Sequence, residues 1–394
     1  MTTVRQQILG LGFMAASSLL AMGAAQAMNG PSPITVDGGP LGSLQLSGAA
    51  DGYGYLIGNN NKSAVSSGIT PNNHGFNIGS GMIQLQKTSG VLQFNIELAS
   101  MGSAIVLGSN TPAPSTFNMF STGPLYAGYL TLAPTGSPVT LSAGHLSSLE
   151  GYESSFAWGN VSQFTTVVAD VENNSSNGVQ AAYTKGPLVA TVQFSDGWDT
   201  HVLNFLQAQG VYTFDANNVL TVFYGGNLGR TGVNAHIYGN AGTSWKNTTV
   251  GEYGSNYVNS QMYGGFYTYT HGNLTVTPEM QYVYAKPDAH VGINKFSANL
   301  AGAVFGDYSF ANTPYSLGGW VEYEDSVGAS SWFNGAHSQG VGIALSPTWQ
   351  YKDLYARLNG GAFYLTHRTA GSGFGSSGNK HAQFASTLEV GLTF

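Results

Sequence analysis

The chain has 394 residues, of which 8 % are charged, 42 % hydrophobic and 12 % aromatic, with 55 Gly and no Cys. Soluble domains carry about 25 % charged residues, so the composition is far from theirs, and its apolar content excludes a disordered chain. A formal charge of −7 with no basic patch argues against nucleic acid as a partner, and without Cys no disulfide can hold an exported chain together.

Residues 1–27 read as a secretory signal peptide. Arg5 gives the positive start, Ile8 to Met22 the apolar stretch, and Ala25-Gln26-Ala27 the small-residue cleavage site. An uncleaved anchor fits less well, because the apolar run is short and no basic stop signal follows. Cleavage is expected to leave one domain, 28–394, with 367 residues and a formal charge of −8. No later segment approaches the roughly 20 apolar residues of a membrane helix. A mean hydropathy of −0.03 resembles that of a soluble protein, but a membrane barrel turns only every second residue to lipid.

Beyond residue 27 the period is two, not 3.6. Leu92, Phe94, Ile96 and Leu98 alternate with Gln93, Asn95 and Glu97. Leu274, Val276, Met280 and Tyr282 alternate with Thr275, Thr277, Glu279 and Gln281. Val341, Ile343, Leu345 and Trp349 alternate with Gly342, Ala344, Ser346 and Thr348, as Leu354, Ala356 and Leu358 do with Tyr355, Arg357 and Asn359. The polar face suits a lumen and the apolar face lipid.

Connections alternate in length. Short turns fall at 88–90, 133–136, 184–187, 215–218, 271–273 and 352–353, and longer loops near 58–75, 107–118, 148–176, 226–257, 326–337 and 367–381. Adding the ambiguous connections near 196–202, 286–294 and 306–314 gives eight loops and seven turns, hence about 16 strands. The predicted fold is all-β: a transmembrane antiparallel up-and-down barrel with short periplasmic turns and long extracellular loops. Such a barrel is wide enough for an aqueous channel. Tyr53, Tyr55, Tyr126, Tyr129, Tyr282, Tyr284 and Tyr351, near expected strand ends, suit an interfacial girdle. A soluble sandwich is the competing fold, but it rarely combines such low charge with this loop alternation.

The last eleven residues are the clearest strand. Phe384, Leu388, Val390, Leu392 and Phe394 share one face, interrupted by Ser386, and Ala385, Thr387, Glu389, Gly391 and Thr393 share the other. Ending on Phe394 is typical of outer-membrane barrels and marks that residue as the candidate assembly signal, read by the barrel-assembly machinery.

Several segments resemble the β-barrel porin-2 family of bacterial outer-membrane proteins. Leu46 to Tyr55 is similar to its opening strand, Leu141 to Glu153 to a strand ending in a loop with Gly and an acid. Asn177 to Tyr183 and Phe194-Ser-Asp-Gly-Trp-Asp199 follow in the expected order, with Asp196 where the family usually has Asn. The resemblance is strongest over residues 44–225. It implies a porin-like channel without naming a solute.

By analogy with trimeric porins, the third long loop, 148–176, is expected to fold inward, making Glu150, Glu153, Asp170 and Glu172 candidate constriction acids. The competing reading is a solvated surface loop, with acids that bind nothing or bridge lipopolysaccharide through divalent ions. Parity places Asp51, Glu97, Glu279, Glu322 and Glu389 on the lumen face, opposed by Arg357. A charge facing lipid costs about 2–4 kcal/mol for Arg and less for Glu. Gly373 to Gly378 matches G-x-G-x-x-G by letter but lacks the strand–turn–helix context, so a loop is expected. The nine His show no metal-ligand spacing, and His145 near Ser147, Ser148 and Glu150 is weak grounds for a hydrolase. Asp196 and Asp199 suit either a cation or a turn.

The sequence therefore predicts a passive, mildly cation-preferring channel with no cofactor, metal or catalysis. Its expected partners are outer-membrane lipid, lipopolysaccharide, small solutes or ions and, by analogy, two further copies of itself. The alternative is a surface-interaction barrel of adhesin type, plugged by its loops.

Overall fold

The computed structural model describes residues 32–60, 73–101, 105–109, 124–173, 175–232, 236–237, 248–249, 255–328 and 335–394. The expected signal peptide lies outside them, as do parts of the loops expected near 58–75, 107–118, 226–257 and 326–337.

Sixteen strands form the wall: β1 (Ser43–Gly58), β2 (His74–Lys87), β3 (Leu92–Met101), β4 (Leu125–Leu132), β5 (Val139–Ser147), β6 (Ser175–Lys185), β7 (Leu188–Ser195), β8 (Phe205–Asp215), β9 (Asn218–Asn227), β10 (Gln261–His271), β11 (Leu274–Ala285), β12 (Ser297–Ser309), β13 (Tyr315–Gly328), β14 (Gln339–Tyr351), β15 (Leu354–His367) and β16 (Ala382–Thr393). Each pairs antiparallel with its neighbours in sequence, and β16 pairs with β1 from Thr393↔Ala49 to Phe384↔Gly58, closing the sheet. Closure leaves no spanning strand with an unpaired edge, which is what allows a sheet to sit in lipid. The seam ends at Gly48 and Phe394, whose backbone N–H and C=O groups exchange two hydrogen bonds of 2.8 Å. A short strand, Ile34–Asp37, pairs with Ser43–Leu46, the part of β1 that β16 does not reach.

The period-two pattern explains the orientation. Along β16, Leu388 and Val390 are 58 % and 55 % exposed on the outer face, whereas Glu389 between them is fully buried. The same alternation runs along β3, β11, β14 and β15. Apolar outer residues are where lipid replaces water, so their exposure carries no hydrophobic penalty there.

The expected tyrosine girdle holds only in part. Tyr282 and Tyr351 stand on the outer face, but Tyr53, Tyr126 and Tyr129 are buried among residues inside the wall. A bulge between Glu97 and Leu98 shifts the β3–β4 register, and Tyr126 turns in to donate to Ser155 Oγ (3.0 Å).

The apolar core lies within the barrel. Tyr152, Val161, Phe164, Val167 and Val168 of the β5–β6 connection pack on inward residues Phe305, Trp320, Ala344 and Phe363. Ile105–Val106 of the β3–β4 connection joins this core by pairing parallel with Phe164–Thr165.

Candidate functional site

The β5–β6 connection is the third loop, and it enters the barrel. It is held by side chains from strands that lie far along the wall from its own anchors. Arg357 on β15 is the main latch. Its Nη1 donates to the Asn160 carbonyl (2.6 Å) and its Nη2 to the Ala157 carbonyl (2.9 Å). The same guanidinium meets Glu389 on β16 through Nε to Oε2 (2.8 Å) and Nη2 to Oε1 (3.0 Å), and Tyr355 Oη also donates to Glu389 (3.0 Å). Arg357 and Glu389 are direct cross-strand partners, so β-register alone brings them together. A planar fork of five donors makes these four bonds at once, one more than the three donors of a lysine ammonium allow.

Further along the loop, Asn359 Oδ1 accepts from Gln163 N (3.1 Å) and Ser346 Oγ (2.7 Å). Trp320 Nε1 donates to the Phe164 carbonyl (2.9 Å), and Val167 N donates to Glu322 Oε2 (2.9 Å). Gln281 Nε2 donates to the Val168 carbonyl. These anchors sit on β11, β13 and β15, so the loop crosses the lumen to the opposite wall.

The four loop acids have different surroundings. Asp170 is exposed at a short 3-10 turn, Ala169–Val171. Glu150 is buried and accepts from Gln207 Nε2 and Asn173 N, both 2.8 Å. Glu153 Oε2 accepts from Thr166 N (3.0 Å) and from the Thr166 hydroxyl. Glu172 is buried against Gly151. Burial pushes Glu150 and Glu153 up to about 7 despite their hydrogen bonds. Burial raises Glu172 well above the carboxylate range, helped by the negative charges of Glu279, Glu150 and Glu153.

On the wall, Asp51 accepts from Ser80 Oγ, and Glu97 from Gln84 Nε2 (3.1 Å). Asp51, Glu97, Glu279, Glu322, Arg357 and Glu389 are all buried. Sequence reasoning missed two further inward acids, Asp307 and Glu324, and the loop anchors Trp320 and Asn359. Parity was the signal available: Glu324 stands two residues beyond Glu322, on the same face of β13.

The remaining motifs make local contacts. His145 Nε2 lies 3.2 Å from Asp199 Oδ1, whereas Ser148 Oγ accepts from Gln207 Nε2 (3.0 Å) and Glu150 N (3.1 Å). Asp196 accepts from Asn177 N (2.9 Å), Asn177 Nδ2 (3.1 Å) and His201 N (3.2 Å), which is turn chemistry. The Gly373–Gly378 segment is part of the β15–β16 loop, where Phe374 packs on Phe363.

Comparison with known proteins gives a consistent architecture. The profile of the family described as "Putative beta-barrel porin-2, OmpL-like" matches residues 43–394. No curated protein matches the chain. Among solved structures, the outer membrane channel DcaP of Acinetobacter baumannii superposes with a TM-score of 0.57 at 10 % identity, covering 89 % of this chain and 97 % of that one. The anion-selective porin from Comamonas acidovorans gives 0.56 at 10 %, covering 89 % and 99 %. OmpT of Vibrio cholerae, in its trimer form, gives 0.55 at 11 %, also covering 89 % and 99 %. At such identities the likeness is one of fold.

Proposed function

The chain belongs to the porin-2, OmpL-like family of β-barrels, and from that premise we propose that it is an outer-membrane channel through which small hydrophilic cations diffuse passively in preference to anions. The observation that carries the preference is an excess of acidic over basic side chains inside the wall. Asp51, Glu97, Glu279, Asp307, Glu322 and Glu324 face inward, whereas the inward base Arg357 is neutralised by Glu389 and donates to two loop carbonyls. Carboxylates around a narrow passage favour cations. The fold does not dictate this sign, since one neighbour is an anion-selective porin. The reversal potential of the reconstituted barrel in a salt gradient tests it.

Export through a cleaved signal peptide, delivery to the assembly machinery through Phe394 and contact with lipopolysaccharide belong to the same proposal. So does assembly as a homotrimer, for which OmpT of Vibrio cholerae offers the precedent. No catalytic step is invoked.

A second reading is favoured by the apolar core that Phe164, Trp320 and Phe363 build inside the barrel. In it the third loop closes the lumen and the protein works through its extracellular surface. Absence of current from a folded barrel would select that reading.

A further inference from the structure

Across β11, β12 and β13 the inward positions form two rows. Glu279 pairs with Ala303, which pairs with Glu322; Gln281 pairs with Ala301, which pairs with Glu324. Each row sets oxygen-bearing side chains on either side of an alanine, two strand spacings or about 10 Å apart. The third loop covers both rows, with Val167 N on Glu322 and the Val168 carbonyl on Gln281.

Under this cover, acceptors outnumber donors. Glu279 Oε1, Gln281 Oε1, Glu322 Oε1, Glu324 Oε1 and Asn299 Oδ1 are closed off from solvent and have no protein donor. None of these residues is more than 5 % exposed. Their donors are already committed: Asn299 Nδ2 to Glu324 and Gln281 Nε2 to the Val168 carbonyl. Each carboxylate thus keeps one buried oxygen without a donor, which is costly, and a group that donates several hydrogen bonds and carries positive charge would relieve them together. Among the described residues no three His, Asp or Glu side chains are set to hold a metal ion, and these oxygens are spread along two rows instead of converging on one point. An ammonium group has three donors and no acceptor. Asp170, exposed on the loop, lies near enough to Glu324 for their charges to interact.

We propose that the inner face of β11–β13 beneath the third loop is a binding site for linear organic cations with two ammonium groups, Glu279 and Glu322–Glu324 each taking one end. This deepens the cation-channel reading and rests on it for the route by which such a cation arrives.

Calorimetric titration of the refolded, detergent-held barrel with diaminobutane tests the site without depending on current. Saturable binding is expected, weakened about tenfold by Glu279→Gln or Glu324→Gln through loss of one charge-assisted contact, and absent with butanediol. Asp170→Asn, at an exposed loop position that leaves the wall intact, is expected to weaken it by a smaller factor. No saturable binding to the native barrel, or equal binding to all three variants, overturns the site. Diamine binding by a silent or anion-preferring barrel supports the site and refutes the channel reading, whereas a cation-preferring channel that does not bind diamine overturns this inference alone.

Discussion

Arg357 and Glu389 face each other across β15 and β16, with Nε 2.8 Å from Oε2 and both side chains fully removed from solvent. The pair joins two parts of the molecule that differ in kind: a wall closed by backbone hydrogen bonds, and a loop that reaches the far side of that wall only through side chains. Removing one member leaves the other as an uncompensated buried charge.

Arg357→Met is therefore expected to destabilise the barrel by about 3–5 kcal/mol, the usual cost of breaking a buried pair. It also frees the Ala157 and Asn160 carbonyls, so the third loop loosens and the open current becomes larger and noisier. Urea unfolding of the refolded protein measures the first effect, and single-channel recording the second. An unchanged unfolding midpoint would mean the latch contributes nothing.

Selectivity should respond to acids that are not already neutralised. Asp170→Asn and Glu279→Gln are expected to lower the cation-to-anion permeability ratio, since each removes a carboxyl group that no salt bridge engages among the described residues. Glu389→Gln should shift selectivity further toward anions, because it unmasks Arg357. Reversal potentials in a salt gradient decide this. An unaltered ratio in all three would place selectivity elsewhere.

Loop docking should weaken as pH rises. Glu150 and Glu153 hold their protons up to about 7 in the folded protein but titrate near 4.5 when exposed. Between those values the native state binds more protons than the unfolded one, so stability falls as pH increases and the loss is complete above about 7. Thermal unfolding followed from pH 4 to 8 should show a falling midpoint. A rising one contradicts the burial argument.

The seam offers a separate test. A Cβ on Gly48 would lie 2.5 Å from Phe394 Cζ and 3.0 Å from the Met82 carbonyl oxygen. Gly48→Leu should therefore impair closure of β1 on β16. The heat-dependent gel mobility of folded barrels reads this out, and a fully folded band from the variant would show that the seam adjusts.

The wall was legible in the sequence because it follows one local rule. Alternation put Glu389, Glu279 and Arg357 on the inner face, and turn spacing gave sixteen strands. Alternation fails where a bulge resets the register, as between Glu97 and Leu98, and Tyr126 was misassigned to the girdle for that reason. The loop's acids were visible as charges, but their surroundings were not. Val167 meets Glu322 across 155 positions of sequence, and no local signature announces that contact. Nor does charge counting reveal that Phe164 and Trp320 build an apolar core inside the wall.

The most direct test of the channel is single-channel recording of the refolded barrel, residues 28–394, in a planar bilayer with a salt gradient. Discrete, stable conductance steps are predicted, with a reversal potential whose sign marks cations as the preferred carriers. Silence from a demonstrably folded barrel, or a reversal potential of the opposite sign, would contradict it.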